Sequence, residues 1–242
     1  MKQNQTTELW ESEYWHPAVT VDAVVFGYDD KDGLSVLLIE RGGEPFKGCW
    51  ALPGGFITQK DESAEAAVIR ELGEETNMKG AYLKEFKVFS KKNRDPRERV
   101  ISIAFYALVI KNQFIIKGGD DANKAEWHNI NNLPQLAFDH LEIFTTALRY
   151  LQRKITDEPV VFHLLNKEFT MSELYKVYNA IIPCYTSNII NDRRNFSKKM
   201  LSLGYIKETG HILPGAGRPA KLYTLDEEGF YEERDRKIKM NL

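Results

Sequence analysis

Arg70-Glu71-Leu72-Gly73-Glu74-Glu75-Thr76 closes a proline-free run that begins at Ser63 and carries Ala64, Ala66 and Ala67 in its first turns. Alanine is the strongest helix former, and Asp61 or Ser63 can cap the first turn, so these residues predict a helix from Ser63 to Thr76. At 3.6 residues per turn, Glu74 and Glu75 fall three and four positions after Glu71, which puts three carboxylates on one face. Val68, Ile69, Leu72 and Thr76 gather on another side and are expected to anchor the helix to a sheet. Arg70 is spaced to pair with Glu74 one turn on. Carboxylates this close repel one another unless something positive sits among them, and oxygen donors of this kind suit Mg²⁺ or Mn²⁺. On these residues alone, a solvated helix face with routine charge pairs remains open.

Upstream, Val19 to Tyr28 and Leu34 to Arg41 are β-branched and aliphatic runs separated by Asp29-Asp30-Lys31-Asp32-Gly33, the pattern of an antiparallel hairpin. Cys49 to Leu52 is a short apolar piece ended by Pro53-Gly54-Gly55, a bend that delivers the chain to the helix. Downstream, Phe86 to Ser90 and Val100 to Val109 read as strands around the polar loop Lys91 to Arg99, with Phe114 to Lys117 as a further candidate. A helix is expected over Leu141 to Arg153. Pro159 cannot continue it, which marks a domain boundary near Thr156.

The remainder reads as a second unit. Leu174, Val177, Tyr178 and Ile181 have helical spacing within Met171 to Ile181, and Thr170 or Ser172 can cap that helix. Phe196, Met200 and Leu203 do the same within Asp192 to Leu203. Tyr205 to Glu208 and Ala220 to Leu225 look like strands on either side of a Gly/Pro-rich loop, Gly210 to Pro219. Helix, helix, hairpin is the outline of a winged helix. Asn191 to Lys221 holds seven basic residues against Asp192 and Glu208, a local excess of +5 in a chain of net charge −2. Arg193, Arg194, Ser197 and Lys198 lie away from the apolar side of the second helix and are expected to face a DNA groove. A protein-binding winged helix with a solvated basic face is the alternative.

The 242 residues are 43% hydrophobic and 28% charged, which is globular composition. The longest apolar stretch, Val100 to Ile110, is well short of the roughly 20 residues that cross a bilayer, so no membrane partner is expected. Two cysteines, Cys49 and Cys184, are too few for a disulfide framework, and a cytoplasmic location is expected.

With the bend and the helix together, the chain resembles the Nudix hydrolases. Their signature is Gly, five residues, Glu, seven residues, then Arg-Glu-apolar-x-Glu-Glu-x-Gly-apolar, and this sequence supplies Gly55, Glu62, Arg70, Glu71, Leu72, Glu74, Glu75 and Met78. Two departures stand out. Six residues separate Gly55 from Glu62, and Asn77 replaces the second Gly, a mild change because Asn also tolerates a left-handed helix end. The resemblance implies catalytic Glu71, Glu74, Glu75 and Arg70, with the three glutamates as ligands of Mg²⁺ or Mn²⁺ and Arg70 orienting them. The general base is left open between Glu71 and a loop carboxylate.

A narrower resemblance covers nearly the full chain. Val19-Thr20-Val21-Asp22, Pro45-Phe46 with Trp50, Leu52-Pro53-Gly54-Gly55-Phe56, Asp95-Pro96-Arg97, Gly119-Asp120-Asp121-Ala122 with Trp127, and Leu136-Ala137-Phe138-Asp139-His140 are similar to the NrtR-type Nudix-related transcriptional regulators. The same segments resemble ADP-ribose pyrophosphatases. Gly215-Ala216-Gly217-Arg218-Pro219-Ala220-Lys221 resembles the wing of those regulators, with Arg218 and Lys221 as DNA contacts. The implied fold is α+β: a Nudix α/β/α sandwich with a mixed sheet over residues 1–155, then a winged helix-turn-helix over 156–242. The implied partners are a nucleotide-sugar ligand, bound with the help of Arg41, Gly54, Gly55 and Arg97, double-stranded DNA, and a second copy of the chain. A metal-dependent hydrolase of ADP-ribose or a related nucleoside diphosphate sugar that also regulates transcription is the leading expectation, because all three carboxylates are kept. A regulator that senses its ligand without cleaving it is the alternative.

Overall fold

In the computed structural model, backbone is described for residues 2–3, 10–11, 14–116, 122–182, 192–214 and 219–240. Lys2–Gln3 (β1) and Trp10–Glu11 (β2) form a small antiparallel pair. The hairpin read from the sequence is present as β3 (Ala18–Asp29) and β4 (Gly33–Arg41), turning where Gly33 takes a positive φ of 70°. Its strands pair only near that turn and then diverge. The freed half of β3 takes β6 (Gly54–Phe56), the freed half of β4 takes β5 (Trp50–Ala51), and β9 (Ala122–Asn129) runs antiparallel along the other edge of β4 from Ser35 to Arg41. On its other side β3 runs parallel to β8 (Val100–Ile110), which carries β7 (Tyr82–Phe89) antiparallel. The result is a seven-stranded mixed sheet.

Alternation along β3 assigns its two faces. Val21, Ala23 and Val25 pack with Ala67, Val68 and Leu72 of α1 (Ala64–Thr76), whereas Val24 and Phe26 pack with Ile143 and Phe144 of α2 (His140–Asp157). These are the layers of an α/β/α sandwich. Ser63, not Asp61, caps α1 by accepting the Ala66 N–H at 3.1 Å. Asn77 closes the helix at φ 60°, with its own N–H on Gly73 O and the Met78 N–H on Leu72 O. Asparagine therefore serves where the signature has glycine. Ile69, expected to anchor α1, is 56% exposed, and Ala67 is buried in the anchoring face.

Phe114 to Ile116 is not a strand; it follows a 3₁₀ turn, Lys111–Gln113, and Phe114 and Ile116 pack beside the α1-side core. Lys117 lies outside the described residues. α2 is longer than Leu141 to Arg153 at both ends, and a 3₁₀ turn, Pro159–Leu164, follows it.

The second unit has the expected order. α3 (Met171–Ile181) starts in a reciprocal capping box between Thr170 and Glu173, and α4 (Arg193–Ser202) starts at Asp192, which accepts the Arg194 N–H at 2.7 Å. Phe196 meets the rings of Tyr175 and Tyr178 edge-on, both at 5.3 Å. β11 (Ile206–Leu213) and β12 (Ala220–Leu225) form the wing hairpin, with β10 (Phe169–Thr170) on the far side of β12. The loop assigned to Gly210 onward is shorter, because β11 continues to Leu213 past an irregularity where Gly210 has φ 82°. α5 (Glu227–Met240) follows.

The two units share one apolar cluster, in which Leu151 and Ile155 of α2 join Val160, Val161, Leu174 and Val177. Among the described residues, two hydrogen bonds cross from α2 to α3. Gln152 Nε2 donates to Ile181 O at 2.9 Å, and the Tyr178 hydroxyl donates to Ile155 O at 3.3 Å. Lys176 of α3 also reaches Asp30 at the β3–β4 turn, at 2.7 Å.

Candidate active site and nucleic-acid interface

A cavity of about 380 Å³ opens where β3, β4, β6 and α1 meet, and Arg41, Gly54, Gly55, Glu71, Glu75 and Arg97 all line it. The Gly-Gly bend lets the helix approach. A Cβ on Gly55 would stand 2.3 Å from Glu71 Oε1, and one on Gly54 would stand 2.1 Å from Val21 O. Gly54 instead donates its N–H to Glu75 Oε2 at 2.8 Å. Glu71 and Glu75 are therefore turned into the cavity, with side chains 13% and 7% exposed, while Glu74 is 60% exposed and lies outside it.

Arg70 ties the group together. Its Nη1 donates to Glu71 Oε1 at 2.8 Å and to Glu74 Oε2 at 3.0 Å, and its Nη2 donates to Phe56 O at 3.1 Å. Asp61 completes the clamp, accepting from Arg70 Nε at 2.9 Å and Nη2 at 3.0 Å. These bonds, with those from the Thr58 amide and hydroxyl, hold the Asp61 carboxyl well below the usual carboxylate range. Glu62, the residue matched to the signature, is exposed. Asp61, one residue earlier, is the one that meets Arg70.

Burial pushes Glu75 up to about 8, and the neighbouring Glu71 and Asp22 push the same way against the Gly54 N–H. Burial raises Glu71 as well. A pair of desolvated carboxylates fits a divalent cation, which would restore their charge, and the all-oxygen donor set suits Mg²⁺ or Mn²⁺. Among the described residues, no three Asp, Glu, His or Cys side chains already converge as a finished cage, since Glu74 rests on Arg70.

Two guanidiniums line the same cavity. Arg41 lies over the Phe138 ring at 4.9 Å, held by Nε on Pro45 O at 2.9 Å, and burial together with Arg97 lowers its pKa. Arg97 faces Phe56 at 5.1 Å and Phe138 at 5.7 Å, and Asp95 grips its Nε and Nη2 at 3.0 and 2.7 Å. Fixed guanidiniums on aromatic faces suit a phosphate or ribose ligand.

Sequence reasoning missed the network beneath. Arg94 binds Asp139 in two-pronged fashion at 2.9 and 2.7 Å and reaches Asp22 at 3.3 Å, while Ser102 donates to Asp22. Asp139 stands at the N-cap position of α2 but its carboxylate serves Arg94, not the helix. His140 Nδ1 accepts the Leu52 N–H at 2.9 Å, which assigns the ring proton to Nε2, 3.6 Å from Asp22. Burial holds its pKa below the ordinary value. Asp22, Asp139 and His140 lay in segments that resembled the family, but only their convergence from three elements shows the network.

In the second unit, Phe196 and Met200 are buried, and Arg193, Arg194, Lys198 and Lys199 are exposed on the other side of α4. Ser197 is half-buried and donates its hydroxyl to Arg193 O at 2.9 Å. Lys221 is exposed on β12 and lies 2.8 Å from Glu208 across the hairpin. Arg218 lies outside the described residues, as do Gly119 to Asp121 and Cys184.

Residues 16–147 match the model of the NUDIX domain. The chain belongs to the Nudix family. Residues 161–225 match the NrtR DNA-binding winged helix domain, so this Nudix chain carries an NrtR-type winged helix behind its mixed sheet. It is 47% identical over 137 residues to a protein named ADP-ribose pyrophosphatase from Methanocaldococcus jannaschii, covering 57% of this chain and 76% of that one. It is 30% identical over 216 residues to the ADPR responsive transcriptional repressor NtrR of Acinetobacter baylyi, covering 88% and 84%. The crystal structure of Shewanella oneidensis NrtR complexed with a 27mer DNA superposes with a TM-score of 0.72 at 30% identity, covering 88% of this chain and 95% of that chain. No helix among the described residues is long and apolar enough to cross a membrane.

Proposed function

We propose that this Nudix protein hydrolyses ADP-ribose, or a related nucleoside diphosphate sugar, and that its winged helix binds double-stranded DNA under control of the same ligand. The observation that carries the reading is a single cavity lined by Glu71 and Glu75 as well as by Arg41 and Arg97. The carboxylates suit a divalent cation and the guanidiniums suit the ligand's anionic groups, a division of labour that a diphosphate joined to a sugar requires. Glu71 and Glu75 would hold Mg²⁺ or Mn²⁺, with Glu74 as the third ligand, and the cation would supply neutralisation of phosphate charge and a more acidic water. Arg70 aims the carboxylates, Gly54 and Gly55 let them come close, and Arg41 and Arg97 fix the ligand against Phe138. Names of relatives support the ligand class: one is a pyrophosphatase of ADP-ribose and the other a repressor that responds to it.

Arg193, Arg194, Ser197 and Lys198 on α4, with Arg218 and Lys221 on the wing, form the DNA-contacting set, and the protein acts as a homodimer on paired half-sites. The test is a panel of nucleoside diphosphate derivatives with millimolar Mg²⁺ or Mn²⁺, read by release of phosphate monoesters. Turnover of ADP-ribose supports the hydrolase. Tight binding of ADP-ribose without turnover moves the protein to the second reading, a ligand sensor, which the names of its regulator relatives favour.

A further inference from the structure

The outer side of α2 carries a second polar groove that shares no residue with the ligand cavity. It measures about 350 Å³ and is lined by Phe86 and Lys87 of β7 and by Thr146, Arg149, Tyr150 and Arg153 of α2. No carboxylate is among these residues. Arg149 and Arg153 stand one helical turn apart, an arrangement in which like charges repel. Lys87 adds a third cation from the facing strand, and all three side chains are exposed.

Arg153 is itself engaged, which leaves Arg149 as the cation for a ligand to claim, and two of the nearby acids are held by other lysines. Glu142, which feels the charge of Lys87, is held by Lys91 at 2.8 Å, and Glu158 is paired with Lys154. Arg149 has no hydrogen bond or ion pair among the described residues. The walls are apolar: Phe86 and Tyr150 lie 5.9 Å apart and continue inward to Tyr106. Three cations around one concave site, with Lys87 resting over the Phe89 ring at 5.1 Å, favour a compact, multiply charged anion over scattered chloride.

We infer that this groove binds a phosphate monoester of a small molecule, with Arg149 as the central contact and Lys87 and Arg153 flanking it. The chemistry connects the two sites if the hydrolase reading holds. Water adding to one phosphorus of a nucleoside diphosphate sugar breaks the P–O–P bond and leaves two phosphate monoesters, so the groove fits the products of the reaction. Its place on α2, between His140 at the ligand cavity and Gln152 and Ile155 at α3, puts it on the helix that joins the two units.

The experiment is calorimetric titration of the full-length protein with AMP in EDTA at low salt, alongside R149A and R97A. Without metal no hydrolysis intervenes, so a protein inert as a hydrolase still answers the question. The expected result is an AMP-binding event that R149A weakens at least tenfold and that falls with added inorganic phosphate, while R97A removes only AMP bound in the Nudix cavity and leaves that event in place. Wild-type AMP affinity in R149A overturns the inference. If R97A is then the variant that loses AMP, the phosphate sits in the Nudix cavity; if R149A loses DNA affinity instead, the groove is a contact for the DNA backbone.

Discussion

Asp61 holds the guanidinium of Arg70 with both carboxylate oxygens, at 2.9 and 3.0 Å, although Glu62 is the residue that the signature's composition selects. A bidentate pair of this kind fixes direction as well as distance. Asp61→Asn should therefore loosen Arg70, let Glu71 and Glu74 lose their aim, and lower kcat for ADP-ribose by about tenfold. Glu62→Gln should leave kcat unchanged. Steady-state kinetics of the two variants decide which residue serves Arg70.

Glu75→Gln keeps the shape of the side chain and its contact with the Gly54 N–H while removing a negative charge that burial already disfavours. Turnover should fall at least a hundredfold. Metal-free thermal stability at pH 8 and above should rise, because the raised carboxyl stabilises the fold below its unfolded value and loses that contribution as pH climbs through about 8. Hydrolysis assays and melting curves in EDTA read the two effects separately.

His140 is buried as the neutral ring, with its pKa held below the ordinary value by burial. A depressed histidine gives stability that is present above the unfolded pKa of about 6.5 and lost as pH falls below it, since the unfolded chain then binds the extra proton. Asn in its place can still accept the Leu52 N–H but cannot be protonated. His140→Asn should destabilise at pH 7.5, and the gap from wild type should shrink at pH 5.5. Denaturant melts at the two pH values measure it.

Arg194 is exposed at the start of α4 beside Arg193 and Ser197. Phosphate contacts release counterions, so DNA affinity should fall steeply with salt, and Arg194→Ala should weaken binding with a salt slope shallower by about one. Fluorescence anisotropy on an operator fragment at several salt concentrations provides both numbers.

Local spacing carried much of the design into the sequence. The Arg70 to Glu75 segment, the left-handed end at Asn77 and the capping residues Ser63 and Thr170 depend on neighbours within one or two turns, and each lies where short-range chemistry puts it. β9 escaped because Asn123, Lys124, Glu126, His128 and Asn129 read as a polar loop; β4 recruits them through backbone pairing. α5 escaped for a similar reason, with Phe230 as its buried anchor against Tyr205. Asp22, Arg94, Asp139 and His140 are distant in sequence and meet only when the sheet and α2 are assembled. The loop register that favours Asp61 over Glu62 depends on how Thr58 turns the chain, which spacing alone does not reveal.

Coupling between ligand and DNA is the central claim. α2 begins at the ligand cavity with His140 and ends on α3 through Gln152 and Ile155, and Lys176 ties α3 to the turn of the hairpin that builds the cavity wall. A ligand changes DNA affinity only if it binds one arrangement of these elements better than another, and linkage then requires DNA to change ligand affinity by the same factor. The direct measurement is a pair of ADP-ribose titrations on the Glu75→Gln protein in EDTA, one free and one saturated with operator DNA, so that no ligand is consumed. The expected result is at least a fivefold difference in Kd, matched by the shift in DNA affinity at saturating ADP-ribose; equal Kd values in the two titrations would contradict it.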